Sequence, residues 1–459
     1  MFDLLGILIW FICIILIGWS VLSLICKKNL LSLTERAAMS YGIGLGLVAL
    51  EMLILSFFNI KFNVISILIW WVPLVGWVLL SDFRDRRFIF SKSEIEKKKP
   101  FSWVEKVFVF GISFEIFYAF FRALIKPIES YDAIATYAIR SKIFYLARSI
   151  PQDFFYSLSL LFPHPDYPLN IPLSETFVYL FLGSLNDQLV KVIFPLYFVA
   201  ILGILYSSIR RFSSRANALV FTFMLATIPQ FNHFATNAYH DVPLSYYCFT
   251  GTLFLLYWFK DRSTAGFLYI SAIMTALSAW TKNEGFVYCV ANITLLAIFL
   301  SLNRRNIRVM DICNGFLYMG IILLILMPWM WVKGTAHLVN SDIDLLKTGQ
   351  FNIVEQCYKA WPIIYEFQRQ MLGPKKWNIF WIIVMFSAIV YHRKIFLKSQ
   401  MYITISLMLA ISGYIFAYLI GQREIAYFVT MTWSRFMLHF LPLAVYWLAL
   451  LFKELKLEI

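Results

Sequence analysis

Four short polar clusters interrupt an otherwise apolar chain: Glu129-Ser130-Tyr131-Asp132, His164-Pro165-Asp166-Tyr167-Pro168, His240-Asp241-Val242-Pro243-Leu244 and Thr281-Lys282-Asn283-Glu284-Gly285. Asp132, with Tyr137, Arg140 and Lys142 just downstream, is the type of residue that takes a proton from a hydroxyl nucleophile. Glu129, three residues earlier, is a weaker candidate whose ordinary role is to cap a helix. His164, Asp166 and Tyr167 lie in a stretch stiffened by Pro165, Pro168 and Pro172, which makes it either a rigid loop or the wall of a polar site. His240 and Asp241 are suited to a sugar or a metal ion, although capping alone accounts for an Asp at a helix start.

Lys282 and Glu284 form either a snorkelling pair or part of an anion site. Arg435, in the run Thr430 to Pro442, lies about a turn inside an apolar segment, where an unpaired guanidinium is costly. A bidentate contact to a phosphate would satisfy it. Arg423 is a further candidate, with Glu424 available as its partner. Glu51 and Glu115 also lie deep in apolar runs, without an assigned role.

The elements that position these residues follow from composition. The chain of 459 residues is 61% hydrophobic and 14% charged, with a mean hydropathy of +0.72, well beyond ordinary soluble domains. Repeated apolar runs of helix-spanning length imply an all-α polytopic membrane protein and exclude a membrane β-barrel. Helical spacing places spans near 3–25, 38–58, 64–80, 104–124, 188–208, 216–231, 242–259, 265–281, 285–302, 312–332, 378–392, 400–420 and 433–452, about thirteen in all. The formal net charge of +14 sits mostly in short connectors, where it orients a membrane protein and argues against a nucleic-acid partner.

Basic residues recur at alternate connectors: Lys27/Lys28, Arg84 to Lys99, Arg210/Arg211/Arg215, Lys260/Arg262, Arg304/Arg305/Arg308, Arg393/Lys394 and Lys453/Lys456. The positive-inside rule makes these cytoplasmic and puts the N-terminus outside. That parity requires 172–183 not to cross. With Glu175 and too little length, it reads as an interfacial helix in the outer leaflet, and 134–150 reads likewise with Arg140, Lys142 and Arg148 towards its polar side. All four clusters then face outward, on loops 125–187, 232–241 and 281–284, with further external loops at 333–377 and 421–432. The apolar run at the N-terminus lacks a basic flank and a cleavage site and reads as a retained helix. The six cysteines show no metal or redox spacing.

The motif order resembles the GT-C superfamily of polyprenyl-phosphate-sugar-dependent glycosyltransferases, the group of protein O-mannosyltransferases and the lipid A aminoarabinose transferase. The resemblance covers 104 to 452. It rests on Asp132 with Tyr137, the stretch His164-Pro165 with Tyr167-Pro168-Leu169, Asp241 with Pro243-Leu244, Thr281-Lys282 with Glu284-Gly285, and Ser434-Arg435-Phe436 before Pro442. Two departures stand out: four spans precede the first external loop instead of one, and the acidic-x-acidic metal motif is replaced by Tyr239-His240-Asp241.

The resemblance implies a sugar moved, with inversion, from a polyprenyl-phosphate donor to an envelope glycan, lipid or protein. The implied location is the outer face of a bacterial inner membrane. Asp132 would be the base, and Lys282 and Arg435 the cations at the leaving phosphate. Glu129, Tyr137, Lys142, His164, Asp166, Tyr167, His240, Asp241, Glu284 and Arg423 would contact substrate. No cofactor is expected; the alternative is a divalent ion on Asp132, His240 and Asp241. The expected organisation is an N-terminal helical part (1–103), a catalytic core (104–332), a lid-like loop (333–377) and C-terminal helices (378–459). A polymerase of pyrophosphate-linked oligosaccharides, a flippase or transporter of lipid-linked sugars, and a non-enzymatic assembly protein are the rival readings.

Overall fold

The computed structural model describes residues 2–26, 30–84, 100–156, 164–338, 357–421 and 425–455. Among them every regular element is helical. The expected basic stretch at 85–99, Lys27/Lys28, Lys456, much of the 333–377 loop and the Arg423–Glu424 pair lie outside the described residues.

The longer helices are α1 (Phe2–Ile25), α2 (Leu33–Phe57), α3 (Val72–Arg84), α4 (Trp103–Ile125), α5 (Ile139–Ala147), α6 (Asn170–Leu182), α7 (Ile193–Arg210) and α8 (Arg215–Ala226). Then follow α9 (Asp241–Lys260), α10 (Ala265–Thr281), α11 (Gly285–Leu302), α12 (Val309–Thr335), α13 (Ala360–Met371), α14 (Phe380–Val390), α15 (Lys398–Ile420) and α16 (Ile425–Glu454). Among the described residues, eight helices are long and apolar enough to cross a membrane. Capping boxes start two of them, Ser32 with Glu35 at α2 and Ser102 with Glu105 at α4.

Local chemistry breaks two of the expected runs. The run at 64–80 is divided into a short helix, Val64–Leu68, and α3, whose second residue is Pro73. The run at 216–231 stops at Ala226, and Pro229 opens a new short helix, Pro229–Phe234, at the position where a missing N–H costs nothing.

The central element is α9, which packs against α7, α10, α11 and α16. Helix α2 buttresses it. Tyr246 and Tyr247 on α9 donate to the backbone oxygens of Ala38 and Gly42 on α2, and Tyr41 on α2 donates to that of Ile193 at the start of α7. α1 and α2 cross closely because glycines meet backbone: a Cβ on Gly18 would lie 1.9 Å from the Ser40 oxygen, and one on Gly44 2.2 Å from that of Ile14.

Helix α6 departs from its expected place. It is helical as read, but it is buried from Asn170 to Leu180 against α1, α2 and α5. The cause is its apolar circumference, which the N-terminal helices cover. Arg140, expected on a polar side, is likewise buried.

The two ends of the bundle differ in chemistry. At the C-terminal end of α9, Arg211 pairs with Glu35 at 2.7 Å and stacks over Tyr257, while Arg262 pairs with Asp311 at 2.8 Å. The polar clusters lie at the other end of α9, about 30 Å away for a helix of this length.

Candidate active site

Asp241 is the first residue of α9, in the favourable field of the helix N-terminus. Its side chain is fully buried and does not cap the helix; cations from elsewhere converge on it. Oδ1 accepts from Lys282 Nζ and His439 Nε2, each at 3.0 Å. Oδ2 accepts from Arg435 Nε at 3.2 Å and Nη2 at 3.1 Å. A buried carboxylate held in this way is satisfied on both oxygens, which is the condition for a buried charge to persist.

Arg435 and His439 lie four residues apart on α16 and share a face. The Tyr414 hydroxyl, on α15, donates to Nδ1 of His439 at 2.7 Å, which leaves Nε2–H to donate to Asp241. Arg435 Nη1 reaches further and donates to Asp132 Oδ2 at 2.8 Å. Its guanidinium also lies over the Tyr239 ring, 4.9 Å from the centroid.

Lys282 sits in the hairpin between α10 and α11. The hairpin closes tightly because Gly285 has no side chain: a Cβ there would lie 2.1 Å from the Ser278 oxygen. Besides Asp241, Lys282 contacts Glu284 Oε1 at 2.9 Å. Burial opposes its charge, but these two carboxylates overcome the penalty and hold its pKa above the ordinary lysine value. Glu284 is the converse: burial would raise it, and Lys282 draws it below the ordinary value. Asn283 donates to Asp166, fastening the hairpin to the proline-rich stretch.

Asp132 immediately precedes a π-helical turn, Ala133–Ala138, a wide turn that is frequent at functional sites. The turn carries Tyr137 inward, where its ring stacks on His240 at a centroid distance of 3.5 Å and lies 6.3 Å from Tyr167. His164 stacks on Tyr167 in turn, at 4.7 Å. Burial pushes Tyr137 up to about 12 and drives His240 well below the ordinary histidine value, so His240 packs as a neutral ring. Asp166 is raised by burial, against the pull of Lys333 and Asn283.

The stack is held from behind by Arg140, which donates to the backbone oxygens of His164 at 2.7 Å and Tyr167 at 3.1 Å. His164 needs such support, since its φ of 56° lies in the left-handed region that non-glycine residues rarely occupy.

These groups border a cavity of about 530 Å³. Its polar half is formed by Asp132, Tyr137, His164, Lys282, Glu284 and Arg435, and its apolar half by Val287, Ala417, Tyr427, Phe428, Met431 and Phe436. Tyr427 and Met431 are exposed at the outside of the apolar half. Asp241, His240 and Asp166 stand behind the polar wall.

Two residues expected at the site lie elsewhere. Lys142 is held by Asp187 at 2.6 Å, and Glu129 is an exposed partner of Lys126 at 3.2 Å. Both are on the same loop as Asp132, but the helical turn of the chain points them away from it. Tyr414 and His439 join the site without having been named at all, and Tyr239 and Arg140 without having been given a role in it. Only His439 carried a usable signal, its position one turn beyond Arg435.

A divalent ion on Asp132, His240 and Asp241 does not fit this arrangement. The Arg435 guanidinium bridges the two carboxylates, and a second cation there meets its repulsion. Among the described residues, no group of three or more metal-ligating side chains is placed to hold an ion. Compared with protein-family models, curated proteins and solved structures, the chain matches none of them.

Proposed function

We propose that the chain is an integral-membrane glycosyltransferase of GT-C type, transferring a sugar from a polyprenyl-phosphate donor to an envelope glycan, lipid or protein acceptor. The observation that carries this reading is the two-sided cavity. Two carboxylates, Asp132 and Glu284, and two cations, Lys282 and Arg435, face one half of it, and an apolar arm between α11, α15 and α16 forms the other. A lipid-linked sugar has the same two halves. The eight helices long and apolar enough to cross a membrane support the integral-membrane part of this reading. The gathering of arginines at the opposite end of α9 supports an outward-facing site.

The proposed reaction is a single displacement with inversion. Asp132 Oδ1 takes the proton from an acceptor hydroxyl, whose oxygen attacks the anomeric carbon. The bond from that carbon to the phosphate oxygen breaks, and the lipid phosphate leaves with the electron pair. Lys282 uses two of its three donors on carboxylates, and Arg435 uses three of its five, so each retains donors for the leaving phosphate. Phosphate arriving at Arg435 competes with Asp132 for the guanidinium. Donor binding therefore releases the base into the cavity.

The test is transfer of radiolabel from a panel of polyprenyl-phosphate sugars to envelope acceptors by the purified chain in proteoliposomes. Transfer from at least one monophosphate donor is expected. Turnover with pyrophosphate-linked oligosaccharides alone would make the chain a polymerase, and turnover with no donor would end the reading.

A further inference from the structure

Beside the main cavity lies a second one of about 210 Å³, bordered by the C-terminal turn of α4, residues 126–130 and the 3₁₀ turn Leu189–Val192 before α7. Three cations line it: Arg122, Lys126 and Lys191. The carboxylate in the lining is Glu129, which is exposed and paired with Lys126. Three positive groups against one negative leave a net charge of two.

The two inner cations make no contact ion pair, and Glu129 and Asp187 act on Lys191 only from further away. Lys191 is 3% exposed and donates to the backbone oxygen of Pro127 at 3.1 Å, and Arg122 donates to His233 Nδ1 at 3.0 Å. Among the described residues neither has a carboxylate within 4.0 Å. A buried ammonium without a contact anion is costly, so an anion inside the cavity would stabilise these charges.

The surface below the cations indicates which kind of anion. α4 is largely unpacked, and Phe117 (65% exposed), Phe121 (53%) and Ile125 (54%) present an apolar strip that continues from the cavity along the helix. A headgroup anchored at Arg122 and Lys191 lays its chains along that strip. Basic pockets between membrane helices are a recurrent way of holding anionic headgroups. From this geometry we infer that the cavity binds the phosphate of an anionic phospholipid at the membrane surface. The site is separate from the main cavity: Glu129 and Ser130 line this one, and Asp132 the other. The inference stands without the transferase reading.

The experiment titrates the full-length chain in neutral detergent with phosphatidylglycerol, phosphatidylcholine or inorganic phosphate, following the melting temperature as a binding signal. A saturable rise with phosphatidylglycerol, absent with phosphatidylcholine, is expected. Inorganic phosphate is expected to give well under half of it, because it lacks the chains. The double variant Arg122→Gln/Lys191→Gln should abolish the rise. Lys126→Gln alters an exposed side chain, keeps the fold, and should weaken apparent affinity about threefold to tenfold, one charge-assisted contact being lost. An equal response to both lipids, or Lys126→Gln and Arg122→Gln single variants with wild-type titrations, overturns the inference. A full response to inorganic phosphate alone reassigns the cavity to a soluble anion and overturns the lipid source.

Discussion

Arg435 and Asp132 are 303 residues apart in sequence and meet at 2.8 Å, Nη1 to Oδ2. The same guanidinium holds Asp241 at 3.1 Å. One side chain thus ties the exposed carboxylate of the 125–187 loop to the buried carboxylate of α9. Asp132 is half-exposed and Asp241 is fully buried, and the proposed mechanism gives the two carboxylates different tasks. Asp241 would be a fixed anchor for cations there, and Asp132 would exchange its partner when donor phosphate binds.

On the proposed mechanism, base and clamp are separable. Asp132→Asn keeps the shape and the acceptor to Arg435 but loses the proton acceptor. Transfer is expected to fall by roughly 10²–10⁴-fold, the contribution of a positioned base, while donor lipid still binds. Arg435→Ala is expected to weaken donor binding as well as transfer, by about tenfold or more for the lost charge-assisted contact. Arg435→Lys keeps the charge beside Asp241 and controls for folding, but it cannot bridge two carboxylates. Steady-state transfer and donor-lipid binding, measured on the same preparations, check both. Near wild-type transfer by Asp132→Asn would move the catalytic role to another carboxylate.

Much of this was legible because a chain with so few charges reveals where it uses them. Asp132, Lys282, Asp241 and Arg435 were readable as polar residues at the ends of apolar runs, and the structure brings all four together. What failed to show was direction. Lys142 lies ten residues beyond Asp132, yet it faces Asp187, because short helices at the surface carry no strong periodic signal. Arg140 was invisible as a bracket, since it holds the backbone oxygens of His164 and Tyr167, and such contacts leave no trace in side-chain spacing. The covering of α6 by α1 depends on long-range packing at Gly6, where a Cβ would lie 2.8 Å from the Phe181 oxygen, and local pattern does not encode it.

Chelation gives the next test. With Arg435 between the two carboxylates and His240 packed on Tyr137, transfer is expected to persist in excess EDTA. Loss of turnover restored by one divalent ion would show that Arg435 swings out when substrate binds and that an ion takes its place.

Sidedness is checked at two exposed connectors. Ser184, between α6 and α7, lies towards the polar clusters, and Arg305, between α11 and α12, lies at the arginine-rich end. In a cysteine-free background, Ser184→Cys is expected to react with a membrane-impermeant maleimide in intact cells, and Arg305→Cys only after permeabilisation. The reverse pattern would place the cavity on the cytoplasmic face and exclude an extracytoplasmic transfer.

Glu175 offers a test of packing through pH. It is buried in α6, a helix of 13 residues and too short to cross a bilayer, and burial pushes its pKa from the ordinary 4.5 up to about 8 against the opposing pull of Ser141. The folded-state value is raised, so the contribution to stability is complete below pH 4.5, where both states are protonated. Between 4.5 and about 8 the unfolded chain ionises while the folded one does not, and stability falls. Above about 8 both are ionised and the loss is complete. Glu175→Gln keeps the shape and removes the titration. Its melting temperature in neutral detergent is expected to match wild type near pH 4.5 and to exceed it at pH 8 by about 3 °C, the scale set by a few kcal/mol in a chain of this size. Parallel curves for the two proteins across that range would mean that Glu175 reaches water in the folded state, and the close seating of α6 beneath α1 and α2 would then be wrong.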